Sequence, residues 1–225
     1  AEVTRQVHLT GLFQAVYTSG TELPNVISAP LYHHRPLNPK KLEEIQFFNC
    51  NERLTLSRAI KLYKLPDTPQ TPGFRQMEER DVDVVTERLN RFLHARHDLT
   101  VLFSRETVAH TFLSRDGIVK SFVAEQDGAI VAFGAYYILP SKVLNSYAYD
   151  KLYVAYQFYY FHDAAFDFKP FFKDLLVMAK NVRARCLTHR TAATSSTPST
   201  SRRTASTSPT CSSSRATASS STTST

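Results

Sequence analysis

From Val182 to Thr225 the chain holds 25 Ser or Thr residues in 44 positions, with six Arg, no Lys, no acid and no aromatic residue. A segment of that composition cannot bury enough apolar surface to offset the entropy of ordering itself, so residues 182–225 are expected to form a disordered low-complexity tail. Any core must then come from residues 1–181, which suffice for one domain. The same split decides what the charge means. The formal charge of the whole chain is +7, but residues 1–181 carry 21 basic and 20 acidic side chains, so the excess lies almost entirely in the tail. Basicity confined to a Ser/Thr/Arg tail does not make a groove on a folded body, and no nucleic-acid partner is expected.

No run of 18 apolar residues occurs, so no transmembrane segment is expected, and the first thirty residues lack the apolar stretch of a secretory signal. The expected location is cytoplasmic. Cys50 lies in the body while Cys186 and Cys211 lie in the tail, and none has the spacing of a metal site, so neither zinc nor a disulfide framework is expected. The chain opens on Ala1 rather than Met and is expected to be a piece of something longer.

Residues 9–18 (Leu9, Leu12, Phe13, Ala15, Val16, Tyr17) read as a buried strand closed by Ser19-Gly20. Asn38 and Pro39 supply the cap and first position of a short helix reaching about Phe47. A second short helix runs from Thr55 to about Tyr63, and a segment with Pro66, Pro69, Pro72 and Gly73 follows as a linker outside the core. Asp81 is read as the cap of the clearest helix, because Val82, Val85, Leu89, Phe92 and Leu93 recur at helical spacing towards Arg96. Ser104 starts another helix, stopped by Asp116-Gly117. Residues 118–125 and 130–139 are two strands joined at an Asp127-Gly128 hairpin turn. Tyr149 to Phe161 is aromatic and β-leaning, and Lys169-Pro170 introduces a helix through about Asn181. The order is that of a mixed α/β layer fold.

His33 and His34 are adjacent, point differently on a strand and have no third ligand near in sequence, so a hydrogen-bonding role outweighs a metal site. Tyr136, Tyr137, Tyr147, Tyr149, Tyr153, Tyr156, Tyr159 and Tyr160 form a phenol-rich block, which composition leaves open as core or as a ligand groove. Nucleotide-binding and serine-hydrolase signatures are absent from the sequence. The residues by themselves reach a mixed α/β body with an aromatic groove.

Taken in order, Phe13-Gln-Ala-Val-Tyr-Thr18, Tyr32-His-His34-Arg-Pro-Leu-Asn-Pro39-Lys-Lys-Leu42, Leu54-Thr-Leu-Ser-Arg-Ala-Ile-Lys-Leu-Tyr63, Tyr136-Tyr-Ile-Leu-Pro-Ser141 and Ala155-Tyr-Gln-Phe-Tyr159 resemble the N-myristoyltransferases, the glycylpeptide N-tetradecanoyltransferases. The resemblance covers nearly all of residues 3–181 and implies the carboxy-terminal, GNAT-like half of a two-domain acyltransferase over residues 1–181. It further implies transfer of tetradecanoate from tetradecanoyl-CoA to the amine of an N-terminal glycine. An α-amine with a pKa of about 7.7–8.0 is largely protonated at neutral pH and must lose a proton before attack, a step the family assigns to its own C-terminal carboxylate. By motif position Tyr32, His34, Phe47, Tyr137, Ser141, Leu152 and Tyr156 would line the peptide groove, and Thr18 would sit near the glycine amine. This half is expected to bind no cofactor. Tetradecanoyl-CoA would be a co-substrate of the complete enzyme, and peptides or proteins with N-terminal glycine its partners.

The resemblance also has departures. The family's basic acyl-CoA loop and its oxyanion segment precede the part of the pattern that Ala1 begins, so this chain alone is expected to be inactive; a peptide-binding module without catalysis, or a pseudogene product, is the alternative. His33 and Thr111 stand where the family shows Trp. Beyond Asn181 the family's Phe-Asp-Val-Phe-Asn-Ala-Leu strand is missing, yet codons read one frame over permit Cys-Glu-Met-Phe-Asn-Ala from Arg183 and Gly-Asp-Gly-x-Leu from Arg215. Residues from about Val182 are therefore expected to be a frame-shifted translation.

Overall fold

The computed structural model describes residues 2–13, 19, 21, 31–50, 53–144, 148–182 and 186–191. The chain divides into two compact units, and residues 32–190 of the second carry the sheet. In the first, residues Glu2–Leu9 form a helix, α1, held by Arg5 and Gln6 donating to the Glu2 carboxylate at three- and four-residue spacing. Leu9, Leu12 and Phe13 are 61–76% exposed, so the buried strand expected at 9–18 fails over its described part. Apolar content alone does not fix a strand, and the local Glu2 pairs favour a turn of helix. Residues 14–18 lie outside the described residues.

The second unit opens with β1 (Leu31–Pro36), α2 (Pro39–Glu44) and α3 (Leu56–Leu62). Asn38 Oδ1 accepts the Lys41 N–H and Thr55 Oγ1 accepts the Arg58 N–H, so both expected caps operate, but α2 stops at Glu44, short of Phe47. Next come β2 (Phe74–Gln76), a 3-10 turn over Glu79–Asp81, α4 (Val82–His94) and α5 (Arg105–Phe112). The Asp81 carboxylate does not cap α4. It stands at the N-cap position but accepts the Glu78 N–H and a bidentate contact from Arg75, because the 3-10 turn holds its backbone in the αR region and turns the carboxylate back from α4.

Hairpin strands β3 (Val119–Gln126) and β4 (Ala129–Lys142) turn at Asp127 and Gly128, whose φ values of 51° and 77° give the two left-handed positions of a type I′ turn. They are followed by β5 (Lys151–His162), α6 (Phe168–Asn181) and β6 (Cys186–Thr191). The sheet runs β1-β6-β5-β4-β3-β2, antiparallel from β5 to β2, with β6 parallel to β5.

Strand β6 departs from the disorder expected from Val182 onward over Cys186–Thr191 alone. The average composition of the tail hides its first ten residues, where Leu187 enters the core at 2% exposure and Thr188 is equally buried. The backbone bonds along β5 give that short stretch a ladder to complete. Residues after Thr191 lie outside the described residues.

Two cores sandwich the sheet. On one face α6 presents Phe171, Leu175, Leu176 and Ala179 to Phe122, Tyr136, Ile138, Ala155 and Leu187. On the other, α4 and α5 place Val85, Leu89, Val108 and Phe112 over Val123, Phe133 and Phe161. A third cluster, Leu42, Phe48, Ala59, Leu152 and Val154, seats α2 and α3 at the far end of β5.

Candidate functional site

Alternation along a strand and pairing between strands put specific side chains on the same face of a sheet. Tyr137 of β4 is the register partner of Tyr156 of β5, and Tyr156 is the register partner of Thr188 of β6. The two phenol rings stack with centroids 5.3 Å apart and planes within 9°. Thr188 Oγ1 lies 3.0 Å from His34 Nδ1 on β1, which carries the row across a fourth strand. His34 meets the edge of Phe47 at 5.5 Å. Four neighbouring strands thus contribute His34, Thr188, Tyr156 and Tyr137 to one lateral row, on the sheet face opposite α6.

The rest of the site follows from the same register. Ser141 pairs with Leu152 four residues along from the Tyr137–Tyr156 pair, which places them on the same face roughly 13 Å away. Ser141 is exposed, whereas Leu152 is buried among Leu42, Phe48 and Val154, so it floors that end of the row. Tyr32 is two residues before His34 on β1 and is 51% exposed. At the other end Phe158 meets Tyr137 edge-on at 5.2 Å and tilts against Phe112 of α5. Aromatic edges and stacked phenols make a strip that is apolar in body and polar at its rims, suited to an extended chain whose amides need partners. Thr18 lies outside the described residues.

Burial, and then the neighbouring charge of His33, push the His34 imidazole below the usual histidine range, so it is neutral at pH 7. On the reverse face Tyr136 is fully buried with no partner for its hydroxyl among the described residues, and burial pushes its phenol above the usual tyrosine range. A separate hollow of about 330 Å³ at the start of α6 is lined by Gln70, Asp167, Lys169, Lys173 and Asp174 and contains none of the row's side chains. Sequence reading missed Thr188 and Phe158. Phe158 belongs to the aromatic block and was legible by its period, while nothing in a Ser/Thr-rich stretch marks Thr188 from its neighbours.

Residues 44–191 match the family model for the myristoyl-CoA:protein N-myristoyltransferase C-terminal domain, and residues 1–30 match the model for the N-terminal domain of the same proteins. The two matches divide residues 1–181, read above as one domain, and the first extends past Asn181 through β6. Glycylpeptide N-tetradecanoyltransferase 2 of Bos taurus is 42% identical over 180 residues, 80% of this chain and 36% of that protein. Glycylpeptide N-tetradecanoyltransferase 1 of Arabidopsis thaliana is 44% identical over 160 residues, 70% of this chain and 37% of that protein. A crystal structure of Saccharomyces cerevisiae N-myristoyltransferase with bound myristoyl-CoA superposes with a TM-score of 0.77 at 32% identity, covering 84% of this chain and 48% of that one. The chain spans little more than a third of the length of these two curated relatives.

Proposed function

The chain belongs to the N-myristoyltransferase family, and from that premise we propose that the face bearing Tyr137 and Tyr156 binds the extended amino terminus of a peptide that begins with glycine. The observation that carries the reading is the register of the Tyr137–Tyr156 pair with Thr188 and, through it, His34, which sets polar groups at intervals along an apolar strip. Stacked phenols exclude water from the peptide backbone. The hydroxyls, the imidazole and Ser141 can bond its amides, so a chain held there is ordered without leaving buried donors unpaired.

In the complete protein the bound glycine amine attacks the thioester carbonyl of tetradecanoyl-CoA. The N–C bond forms, the C–S bond breaks, the amine loses a proton to a base, and the CoA thiol leaves. Thr18 stands near that amine in this reading, and tetradecanoyl-CoA is held outside residues 32–190. The reaction is placed in the cytoplasm and needs no nucleic acid.

The 225 residues alone are proposed to bind without turning over. Titration with a glycine-leading octapeptide tests the binding, and an acyl-transfer assay with tetradecanoyl-CoA tests the inactivity. Tyr137→Ala or Tyr156→Ala should each weaken binding about tenfold, the effect of losing one stacked aromatic contact. Binding unchanged in both variants removes the groove, and turnover above a no-protein control removes the claim of inactivity.

A further inference from the structure

We propose that Thr188 is a positioning residue that fixes His34 in its Nε2–H tautomer, so that the imidazole donates to a backbone carbonyl oxygen of the bound peptide. The proposal rests on the peptide-groove reading for its ligand, but its tautomer claim stands on geometry within the chain.

Thr188 is 2% exposed, and His34 Nδ1, at 3.0 Å, is the hydrogen-bond partner of its hydroxyl among the described residues. A buried O–H must be given to something, because an unpaired buried donor is costly. If Nδ1 carried the hydrogen, the hydroxyl would accept from it and would have to turn its own hydrogen to a place where no other partner stands among the described residues. The arrangement that leaves nothing unpaired has Thr188 donating and Nδ1 accepting, which places the ring hydrogen on Nε2. Phe47, edge-on to the ring at 5.5 Å, restrains its rotation. The His34 ring is sunk on its Nδ1 side yet keeps exposed surface on the row's face, and Nε2 makes no hydrogen bond among the described residues. The shift of the imidazole towards neutrality supports this, since a neutral donor suits a carbonyl oxygen without demanding a carboxylate.

The role also bears on the reading frame. Thr188 belongs to the stretch expected, from codons read one frame over, to be a frame-shifted translation, and a side chain that orients a groove residue is a specific demand on that stretch as it is written.

Long-range ¹H–¹⁵N spectra of the ¹⁵N-labelled chain at pH 8 report which ring nitrogen carries hydrogen, with the His34 signals assigned by their loss in His34→Gln. The expected result is a single Nε2–H pattern in the unaltered chain, a mixture of tautomers in Thr188→Val, and recovery in Thr188→Ser. Thr188→Val should also weaken the glycine-leading octapeptide roughly three- to tenfold, the range for one net hydrogen bond, with Thr188→Ser within about twofold of the unaltered chain. An Nδ1–H pattern in the unaltered chain overturns the proposal without any variant, as do equal tautomer populations in Thr188→Val. A resequenced transcript with another residue at codon 188 overturns it for the natural product. If the tautomer result holds while the unaltered chain binds no peptide, the groove reading falls, and with it the carbonyl ligand.

Discussion

Asp174 Oδ2 accepts the Thr71 backbone N–H at 2.7 Å, and Oδ1 accepts that of Gln70 at 3.0 Å, from a side chain on α6 that is 1% exposed. The proline-rich segment before β2, which its composition presents as a linker, is therefore fastened to the helix by a buried carboxylate. Asp174→Asn replaces one of the two acceptors with a donor facing an N–H. A loss of about 1–3 kcal/mol in urea unfolding is expected, together with faster proteolytic nicking between residues 64 and 73. Unchanged stability and nicking would show that the strap holds by its apolar contacts alone.

Gly73 closes the same strap with φ +69°, and a Cβ built there would lie 1.8 Å from the Glu125 carbonyl oxygen of β3. Both the backbone angle and the close approach exclude a side chain. Gly73→Ala should cost about 3 kcal/mol and detach β2 from β3, seen as rapid amide exchange at Glu125.

Removal of the Tyr136 hydroxyl should do no harm. It is buried with no partner among the described residues, so Tyr136→Phe should change stability by less than about 1 kcal/mol in either direction. Because burial raises the phenol, the folded chain keeps a proton there that the unfolded chain gives up, and stability should fall as pH rises above about 10. In Tyr136→Phe that alkaline loss should shrink. Absorbance titration should show one fewer late-ionising tyrosine than in the unaltered chain.

His34 gives the acid counterpart. Its imidazole lies below the ordinary histidine value through burial first and the charge of His33 second. Between the folded value and about 6.5 the unfolded chain binds more protons, so stability rises with pH across that window and falls as pH drops through it. Peptide affinity should fall at lower pH, as pH drops through the folded value itself, since a protonated Nδ1 no longer accepts from the Thr188 hydroxyl. His34→Gln should flatten the acid dependence of binding, and an unaltered slope in that variant would place the titrating group elsewhere.

Features set by local chemistry were legible in the sequence. Asn38 and Thr55 cap where cap residues should, Asp127-Gly128 makes the turn its two left-handed positions require, and the stripe Val82, Val85, Leu89 and Leu93 is buried as its spacing demands. What failed needed long-range partners. Asp81 reads as a helix cap until Arg75 and the 3-10 turn claim it. Asp174 looks like one more polar residue on a helix, because its donors come from a hundred residues earlier. Phe47, Tyr137 and Tyr156 were identified by resemblance, and the phenol block by composition. Thr188 could not be reached by either route: it matters only because β6 lies between β5 and β1.

That placement has a kinetic meaning. In the described sheet β1 borders β6 and no other strand, and the His34–Thr188 contact joins residues 154 positions apart. At a synthesis rate of 5–20 residues per second, roughly 10–30 s separate the two side chains on a translating ribosome. Through that interval β1, already made, has no strand to join, and the β5 edge stands open only from its own synthesis until β6 follows. The Tyr137–Tyr156 pair is thus made before β6, and a lesion in β6 removes the partner of His34 while leaving the paired phenols in place.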